Sequence, residues 1–235
     1  MILQKKVSLL CVITNQIDRF CFEENVYNRI AEIESDQNEK VFNGISINGI
    51  PVEVLICDYG SNIKKYNNCT SIQKTKSNNF NVLLSKTIGE YICILDTNSL
   101  LRDNWLSDLL FYSENIRSSG VVSISTELQG VEFTALLDKE DSLTSVFMPS
   151  NNCVSGTSLF KSDCVPFIGA LNTYFNPYEI ANYSLRIFYA LKRVNFYIPS
   201  QLAINVNPNF RTLSEDFCQE IVRDLVQRND YYLSF

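Results

Sequence analysis

The stretch that decides the fold is GEYICILDTNS, residues 89–99, an apolar run that ends abruptly in small oxygen-bearing side chains. Residues 91–95 are apolar, aromatic or β-branched, the pattern of a strand covered on both faces. Asp96, Thr97 and Asn98 follow where the chain leaves the sheet, and ligands in open α/β sheets bind just outside the carboxyl ends of strands. Two interpretations stand here. One is a site for a hydrated divalent cation or a ribose; the other, favoured in isolation, is a plain turn.

Working outward, two more buried strands are predicted upstream, VSLLCVI at 7–13 and PVEVLIC at 51–57. Between them, apolar residues at helical spacing predict a helix from about residue 22 to residue 34. Two Asn-Gly pairs within residues 42–50 predict a small hairpin or loop excursion. The first half of the chain therefore alternates between strands and helices.

The same alternation continues downstream, where residues 127–150 are ambiguous and residues 131–134 are one possible strand. Predicted elements are a short helix at 81–87, an amphipathic helix at 105–116, a strand at 120–125, a turn into a strand at 156–163, a helix at 178–192, and a capping box at 212–215 that opens a last helix. Strands alternating with helices predict an α/β fold with a mostly parallel central sheet flanked by helices.

Composition narrows the function classes. The chain has 235 residues with 46% apolar and 20% charged residues, which is the balance of a globular protein. Its net charge of -6 provides no basic face, so we expect no nucleic-acid partner. No apolar run reaches the roughly 18 residues of a membrane helix. No signal-peptide pattern opens the sequence, which predicts a cytoplasmic protein with its eight cysteines reduced.

Histidine is absent from the sequence, and no Cys-x-x-Cys spacing occurs. These two facts argue against a structural zinc site. The absence of histidine also excludes Ser-His-Asp and Cys-His mechanisms. Any general base is then a carboxylate, a lysine, a tyrosine or the substrate itself.

Three segments, taken in order, resemble family 2 glycosyltransferases of the GT-A fold. VSLLCVITN (7–15) is similar to the family's VSVIIPTYN, and EVLICDYGS (53–61) is similar to EIIVVDDGS. Asn81 followed by GEYICILDTN (89–98) is similar to N-x-G and then GEYIxFLDxD. The order and the spacings agree with the family across about the first 125 residues.

The resemblance implies one Rossmann-like GT-A domain over residues 1–235. Residues 1–125 would form the nucleotide-sugar-binding half, and residues 126–235 the acceptor-side half with the C-terminal helix. It also implies a set of nucleotide-sugar-binding residues: Thr14, Asn15, Asp58, Asn81, Asp96 and Thr97.

In the family, the carboxylate at the position of Asp58 accepts a hydrogen bond from the base, usually uracil. The alternative is an Asp that only caps the turn before Gly60. The resemblance further implies Mn²⁺ or Mg²⁺ bound by Asp96 and Asn98 and bridging the diphosphate. Asn98 stands where the family has an acid, and a neutral amide oxygen is a weaker ligand for a hard cation than a carboxylate.

The second half carries two weaker matches. The segment beginning at Gly156 resembles the family's acceptor-side segment, and residues 178–186 resemble its EDxDLxxR helix start. Ile180 occupies the position of the family's general base, which leaves Glu179 as the nearest candidate base. The alternative for Glu179 is a helix N-terminal acid stabilised by the helix dipole. Arg186 is a candidate for contacting a phosphate or for forming an ion pair.

The resemblance implies transfer of a sugar, with inversion, from a nucleotide-diphosphate donor, most often a UDP-sugar, to a glycan, lipid-linked or protein acceptor. The alternative is an inactive GT-A domain that binds a nucleotide sugar or a protein partner, and Tyr59, Asn98 and Ile180 favour it by departing from the family pattern. A homo-oligomer is also open. A nucleotidyltransferase is disfavoured because residues 14–19 are not a Gly-rich basic loop.

Overall fold

A computed structural model describes residues 7–32, 44–59, 65–72, 79–97, 99–124, 133–134, 146–147, 154, 156–172, 179–198 and 203–205. Its strands are β1 (Val7–Ile13), β2 (Ile30–Glu32), β3 (Ile45–Ile47), β4 (Ile50–Asp58), β5 (Thr70–Ile72), β6 (Tyr91–Ile94), β7 (Ser99–Leu101), β8 (Ser119–Ile124), β9 (Phe133–Thr134), β10 (Val146–Phe147), β11 (Thr157–Lys161), β12 (Val194–Ile198) and β13 (Ala203–Asn205). Its α-helices are α1 (Gln16–Asn25), α2 (Asn79–Leu84), α3 (Trp105–Asn115), α4 (Val165–Ile168) and α5 (Glu179–Leu191).

The main sheet has the strand order β2-β3-β4-β1-β6-β11-β8-β12-β10-β9, and β5 also pairs with β4. Strands β4, β1 and β6 are parallel neighbours, and β8 is parallel to β12. Strand β11 lies between β6 and β8 and is antiparallel to both. The predicted α/β fold with a mostly parallel central sheet is therefore confirmed. Strands β7 and β13 form a separate antiparallel pair.

Helices cover both faces of this sheet. Successive residues of a strand point to opposite faces, so a strand that is apolar throughout presents an apolar surface on each face. On β1, Leu9 belongs to the apolar cluster that contains residues of α1 and α3, whereas Leu10 belongs to the cluster that contains residues of α2, α4 and α5. Trp105 fills the first layer and Tyr183 the second, and both side chains are fully buried. Strands buried on both faces are apolar along nearly their whole length, and the segments from which the fold was predicted have this pattern.

The hairpin predicted within residues 42–50 is present between β3 and β4. Ile47 pairs with Ile50, and the two residues between them, Asn48 and Gly49, both have positive φ, at 53° and 76°. Such a turn is a type I′ hairpin, which favours an Asn-Gly pair because its twist matches that of the strands. The other Asn-Gly pair begins at residue 43, which lies outside the described residues.

The helix predicted over 22–34 was wrong in its bounds. The helix α1 begins at Gln16, because the side chain of Asn15 accepts hydrogen bonds from the N–H groups of Ile17 and Asp18. A 3₁₀ turn at Tyr27–Arg29 follows α1, and β2 then pairs with β3. The apolar spacing that predicted a longer helix runs across the boundary between α1 and β2.

The remaining predicted elements can be compared with the structure where the chain is described. The short helix predicted at 81–87 begins two residues earlier, as α2, and the strand β5 was not predicted. Of the strand suggested at 131–134, residues 133–134 form β9, and residues 131–132 lie outside the described part of the chain. The helix predicted after residue 212 lies outside the described residues. Within the part of the chain that is described, no helix has the length and apolarity needed to cross a membrane.

Candidate functional site

Three of the predicted site segments meet at one edge of the sheet. Asp58, the last residue of β4, pairs with Ile13, the last residue of β1. The N–H of Leu95 donates to the carbonyl of Leu10 at 2.9 Å, so that Asp96 follows β6 at the same level. The carboxyl ends of three adjacent parallel strands thus bring the β1–α1 loop, Asp58 and Asp96 together, at the position where open α/β sheets bind ligands.

Strand β11 also begins at this edge because it runs antiparallel to β6. The N–H of Asp96 donates to Oγ1 of Thr157 at 3.1 Å, which ties the turn after β6 to the start of β11. Gly156, just before β11, has a φ of 91°, a conformation that favours glycine. The structure therefore places the predicted acceptor-side residue Gly156 beside the predicted donor-side residue Asp96.

Helix α5 approaches the same edge with its N-terminus. It packs on the sheet and leads into β12, which is parallel to β8, so the chain enters α5 at the carboxyl ends of the strands. Glu179 is the first residue of α5 and is 6% exposed. The first residue of α5 thus lies on the side of the sheet where the parallel strands end.

The loop between β1 and α1 is held by side chains of the first helical turn. Oδ1 of Asn15 accepts hydrogen bonds from the N–H groups of Ile17 and Asp18 at 2.8 and 3.0 Å. Asp18 in turn accepts from the N–H of Thr14 at 2.8 Å and from its hydroxyl. Thr14 and Asn15 are exposed, so a fixed loop presents them to solvent at the strand ends.

Asp58 forms an ion pair with Arg19 of α1. Nη2 of Arg19 lies 3.0 Å from Oδ2 and 3.2 Å from Oδ1 of Asp58. The Asp58 side chain is 3% exposed, and the Arg19 side chain is 23% exposed. A buried carboxylate needs such a partner, since an isolated buried charge is strongly disfavoured.

Asp96 is half-buried, and its Oδ2 accepts a hydrogen bond from the hydroxyl of Ser99 at 3.4 Å. Burial, the charge of Asp96 and then that of Asp18 raise the pKa of the Cys21 thiol to about 12. The charge of Asp96 therefore acts on a residue of α1. Thr97 is buried, and the predicted metal ligand Asn98 lies outside the described residues.

Asn25, at the end of α1, holds the strand that follows the Asp96 turn. Its Nδ2 donates to the carbonyl of Ser99 at 2.7 Å, and its Oδ1 accepts from the N–H of Leu101 at 2.8 Å. Its carbonyl also accepts from Nε1 of Trp105 at 3.3 Å. Asn25 is fully buried, so α1 is linked to the β1 loop at one end and to β7 at the other.

Two predicted site residues bond to main-chain groups of residues 168–171. Asn81 donates to the carbonyl of Leu171 at 2.9 Å and accepts from its N–H at 2.7 Å. Arg186 donates to the carbonyls of Ile168 and Ala170 at 2.8 and 2.6 Å, and its guanidinium lies 5.1 Å from the centre of the Tyr183 ring. These contacts hold the segment that precedes α5 against α2 and α5.

Glu179 and Ile180 have different surroundings at the start of α5. Ile180 is 8% exposed and belongs to the apolar cluster on the α2, α4 and α5 face. Burial raises the pKa of Glu179, opposed by a hydrogen bond to its own backbone. A raised pKa brings a carboxylate closer to the range of an effective general base at neutral pH.

The donors at this edge suit a divalent cation that is bound together with a diphosphate. The described residues contain no group of three or more His, Cys, Asp and Glu side chains that could hold a metal ion. Mg²⁺ is usually held by one or two carboxylates together with substrate phosphates and water. Asp96 is a carboxylate of the right type at the strand ends, so the donors fit a cation that arrives with a diphosphate.

Three residues that share this site were not predicted: Asp18, Arg19 and Thr157. Asp18 follows Asn15 by three residues, and that spacing resembles a capping box, so the sequence held a local signal for it. Arg19 and Thr157 carried no such signal, because their partners Asp58 and Asp96 are distant in sequence.

Comparison with known proteins gives matches among solved structures alone. No family model matches the sequence, and no curated protein matches it. The mannosyltransferase PcManGT from Pyrobaculum calidifontis, solved with GDP-Man and Mn²⁺, is similar with a TM-score of 0.60 and 13% identity. The match covers 88% of this chain and 59% of that protein.

S. aureus TarS is also similar. Its residues 1–349 solved with UDP-GlcNAc match with a TM-score of 0.55 and 16% identity, over 94% of this chain and 65% of that one. The same TarS segment solved with UDP matches with a TM-score of 0.51 and 16% identity, over 95% of this chain and 71% of that one. The chain spans less than two thirds of the PcManGT and UDP-GlcNAc-bound TarS chains. Over the matched length, the chain has the mixed α/β, GT-A-like fold of PcManGT and TarS.

Proposed function

We propose that this chain is a glycosyltransferase that moves a sugar from a nucleotide-diphosphate donor to a hydroxyl acceptor. The observation that carries the proposal is the meeting of the Thr14–Asn15 loop, Asp58 and Asp96 at the carboxyl ends of β1, β4 and β6. These groups provide a fixed polar loop and two carboxylates in the fold of proteins solved with GDP-Man and with UDP-GlcNAc.

The donor is oriented along this edge. Asp58 takes the base, for which the sequence resemblance favours uracil, and Thr14 and Asn15 lie between Asp58 and Asp96. Asp96 and Asn98 would hold Mn²⁺ or Mg²⁺, and the cation would offset negative charge on the leaving diphosphate. The family 2 resemblance, the UDP donor and the metal ligands belong to this proposal.

The transfer itself is proposed to invert the anomeric centre. The acceptor oxygen attacks the anomeric carbon, the bond from that carbon to the diphosphate breaks, and the acceptor proton passes to Glu179. Burial of Glu179 supports this role because it raises the pKa of the carboxyl group. Gly156 and Thr157 border the acceptor, which is a glycan, a lipid-linked sugar or a protein.

The test is release of nucleoside diphosphate from a panel of UDP- and GDP-sugars with Mn²⁺ and candidate acceptors. We expect turnover with a UDP-sugar, and Glu179→Gln to lower kcat by about 10²- to 10⁴-fold, the usual contribution of a general base. The matched control is Asp163→Asn, because Asp163 pairs with Arg193 beyond the far end of β11. Asp163→Asn should leave kcat unchanged, and an equal loss in both variants would contradict the role of Glu179.

A second function is supported by Ile180. An apolar side chain, buried in the core, stands where the resemblance expects the base. The chain would then bind a nucleotide sugar or a protein partner as a scaffold or regulatory subunit. Calorimetric binding of UDP with Mn²⁺, together with no turnover of any nucleotide sugar, would favour this function over catalysis.

A further inference from the structure

We propose that Arg19 and Asp58 together recognise the base of the donor nucleotide. The pair selects bases whose edge carries an N–H beside a carbonyl oxygen. This inference rests on the proposed function, because it assigns base selectivity to the same strand edge. It adds a specificity-determining residue, Arg19, which belongs to α1.

The first support is the position of the pair. Asp58 ends β4 beside the last residue of β1, where a ligand at the strand ends would contact it. Arg19 lies in the second turn of α1, and its N–H donates to the carbonyl of Asn15 at 3.2 Å. The guanidinium is therefore carried by the same helix whose first turn fixes the exposed Thr14–Asn15 loop.

The second support is the set of donors on Arg19. Nη2 contacts both carboxylate oxygens of Asp58, at 3.0 and 3.2 Å. Within the described residues, Nε is buried and has no hydrogen-bond partner. Nη1 makes no hydrogen bond to a described residue and is not among the described atoms that are both buried and unpartnered, so it is accessible. Arg19 thus neutralises Asp58 with Nη2 and keeps Nη1 for a further acceptor.

The third support is the chemistry that such a pair recognises. A carboxylate accepts hydrogen bonds, and a guanidinium donates them in a fixed planar fork. Side by side, they match an N–H next to a carbonyl oxygen, which is the edge of uracil and of guanine. Cytosine and adenine present the reverse order, a ring nitrogen that accepts next to an amino group that donates.

The two residues differ in burial, and this difference fixes which part of the base edge each side chain contacts. The Asp58 side chain is 3% exposed, and that of Arg19 is 23% exposed. The carboxylate is thereby held at the end of β4, and the guanidinium forms the outer part of the pair. A base attached to an anchored ribose would meet acceptor and donor in one order, so the reversed edge would bring donors against donors.

The experiment is isothermal titration of the full chain with UDP, GDP, CDP and ADP, each with Mn²⁺. We expect UDP or GDP to bind about tenfold or more tightly than CDP and ADP, the usual discrimination of a good paired contact. Arg19→Lys keeps the charge but loses the planar fork, and should reduce this preference to about threefold or less. The control is Arg193→Lys, because Arg193 also pairs with both oxygens of an aspartate, Asp163, through Nη1 and Nη2 at 2.7 and 2.9 Å and away from the strand ends. It should leave the preference unchanged.

A double variant, Arg19→Gln with Asp58→Asn, removes both charges together and avoids leaving a buried carboxylate alone. It should also lose the preference for UDP and GDP while it keeps the circular dichroism spectrum of the folded chain. Equal binding of all four nucleotides by the wild type, or a preference that survives Arg19→Lys and the double variant, would overturn the role of Arg19. No binding of any of the four would overturn the proposed function as well.

Discussion

Glu179 is a carboxyl group that the fold removes almost completely from water. It is 6% exposed at the first residue of α5, and burial raises its pKa above 4.5. A group whose pKa is higher in the folded state than in the unfolded state stabilises the fold while it is protonated. That contribution is complete below the unfolded pKa and is lost as the pH rises through the folded pKa.

Glu179→Gln should therefore be more stable than the wild type at pH 8, because the amide is neutral at every pH. The difference in the free energy of unfolding should shrink as the pH falls towards 4.5. Urea unfolding followed by circular dichroism from pH 4 to pH 8 measures it. The control Glu90→Gln, on an exposed residue, should change the stability by less than about 0.5 kcal/mol at any pH. A gap for Glu179→Gln that stays constant over this range would contradict the account.

Site residues could be predicted from the sequence where their place at the end of an apolar strand identified them. Asp58 and Asp96 were predicted at strand ends, and the structure places both there. Arg19 and Thr157 were not predicted, because their importance comes from partners 39 and 61 residues away. The roles assigned to the site residues remain predictions for the experiments above to test.

At the scale of elements, α1 connects the two halves of the candidate donor site. Asn15 caps its first turn beside β1, and Asn25 at its last turn bonds to both ends of β7. Because Ser99 of β7 also bonds to Asp96, the helix holds the strand that follows the predicted metal ligands. A shift of α1 would move both the base side and the diphosphate side of the edge.

Asn25→Ala should destabilise the protein by about 2–4 kcal/mol, because the carbonyl of Ser99 and the N–H of Leu101 would lose their buried partner. Chemical denaturation measures the change. Asn115→Ala is the matched control, because among the described residues the exposed Asn115 amide bonds only to the carbonyl of Phe111 in its own helix. We expect that control to cost less than about 0.5 kcal/mol, and an equal cost for both variants would contradict the role of Asn25.

The elements that could be predicted were those with a strong period or a long apolar run. The strand β1 and the helices α3 and α5 lie within one residue of their predicted bounds. The helix predicted over 22–34 failed because its apolar spacing continues from α1 into β2, whose pairing with β3 is a tertiary contact. No local pattern in the sequence distinguishes that pairing from another helical turn.

At the scale of the molecule, the sheet order explains how distant segments form one site. The strands β4, β1 and β6 place their carboxyl ends side by side, and the reversed strand β11 brings Gly156 and Thr157 to the same edge. The alternation of strands and helices predicted the parallel part of this sheet. The reversed insertion of β11 depends on pairing between residues that are 64 to 70 positions apart, such as Ser158 with Ile94 and Lys161 with Tyr91, and could not be predicted from local patterns.

The central claim is that this edge binds a nucleotide-diphosphate sugar, and a crystal structure of the chain with UDP and Mn²⁺ tests it most directly. The account predicts the uracil ring at Asp58 and Arg19, the diphosphate beside Asp96, and the Thr14–Asn15 loop between them. UDP bound elsewhere on the molecule, or no UDP at this edge at a concentration well above the dissociation constant measured by calorimetry, would contradict it.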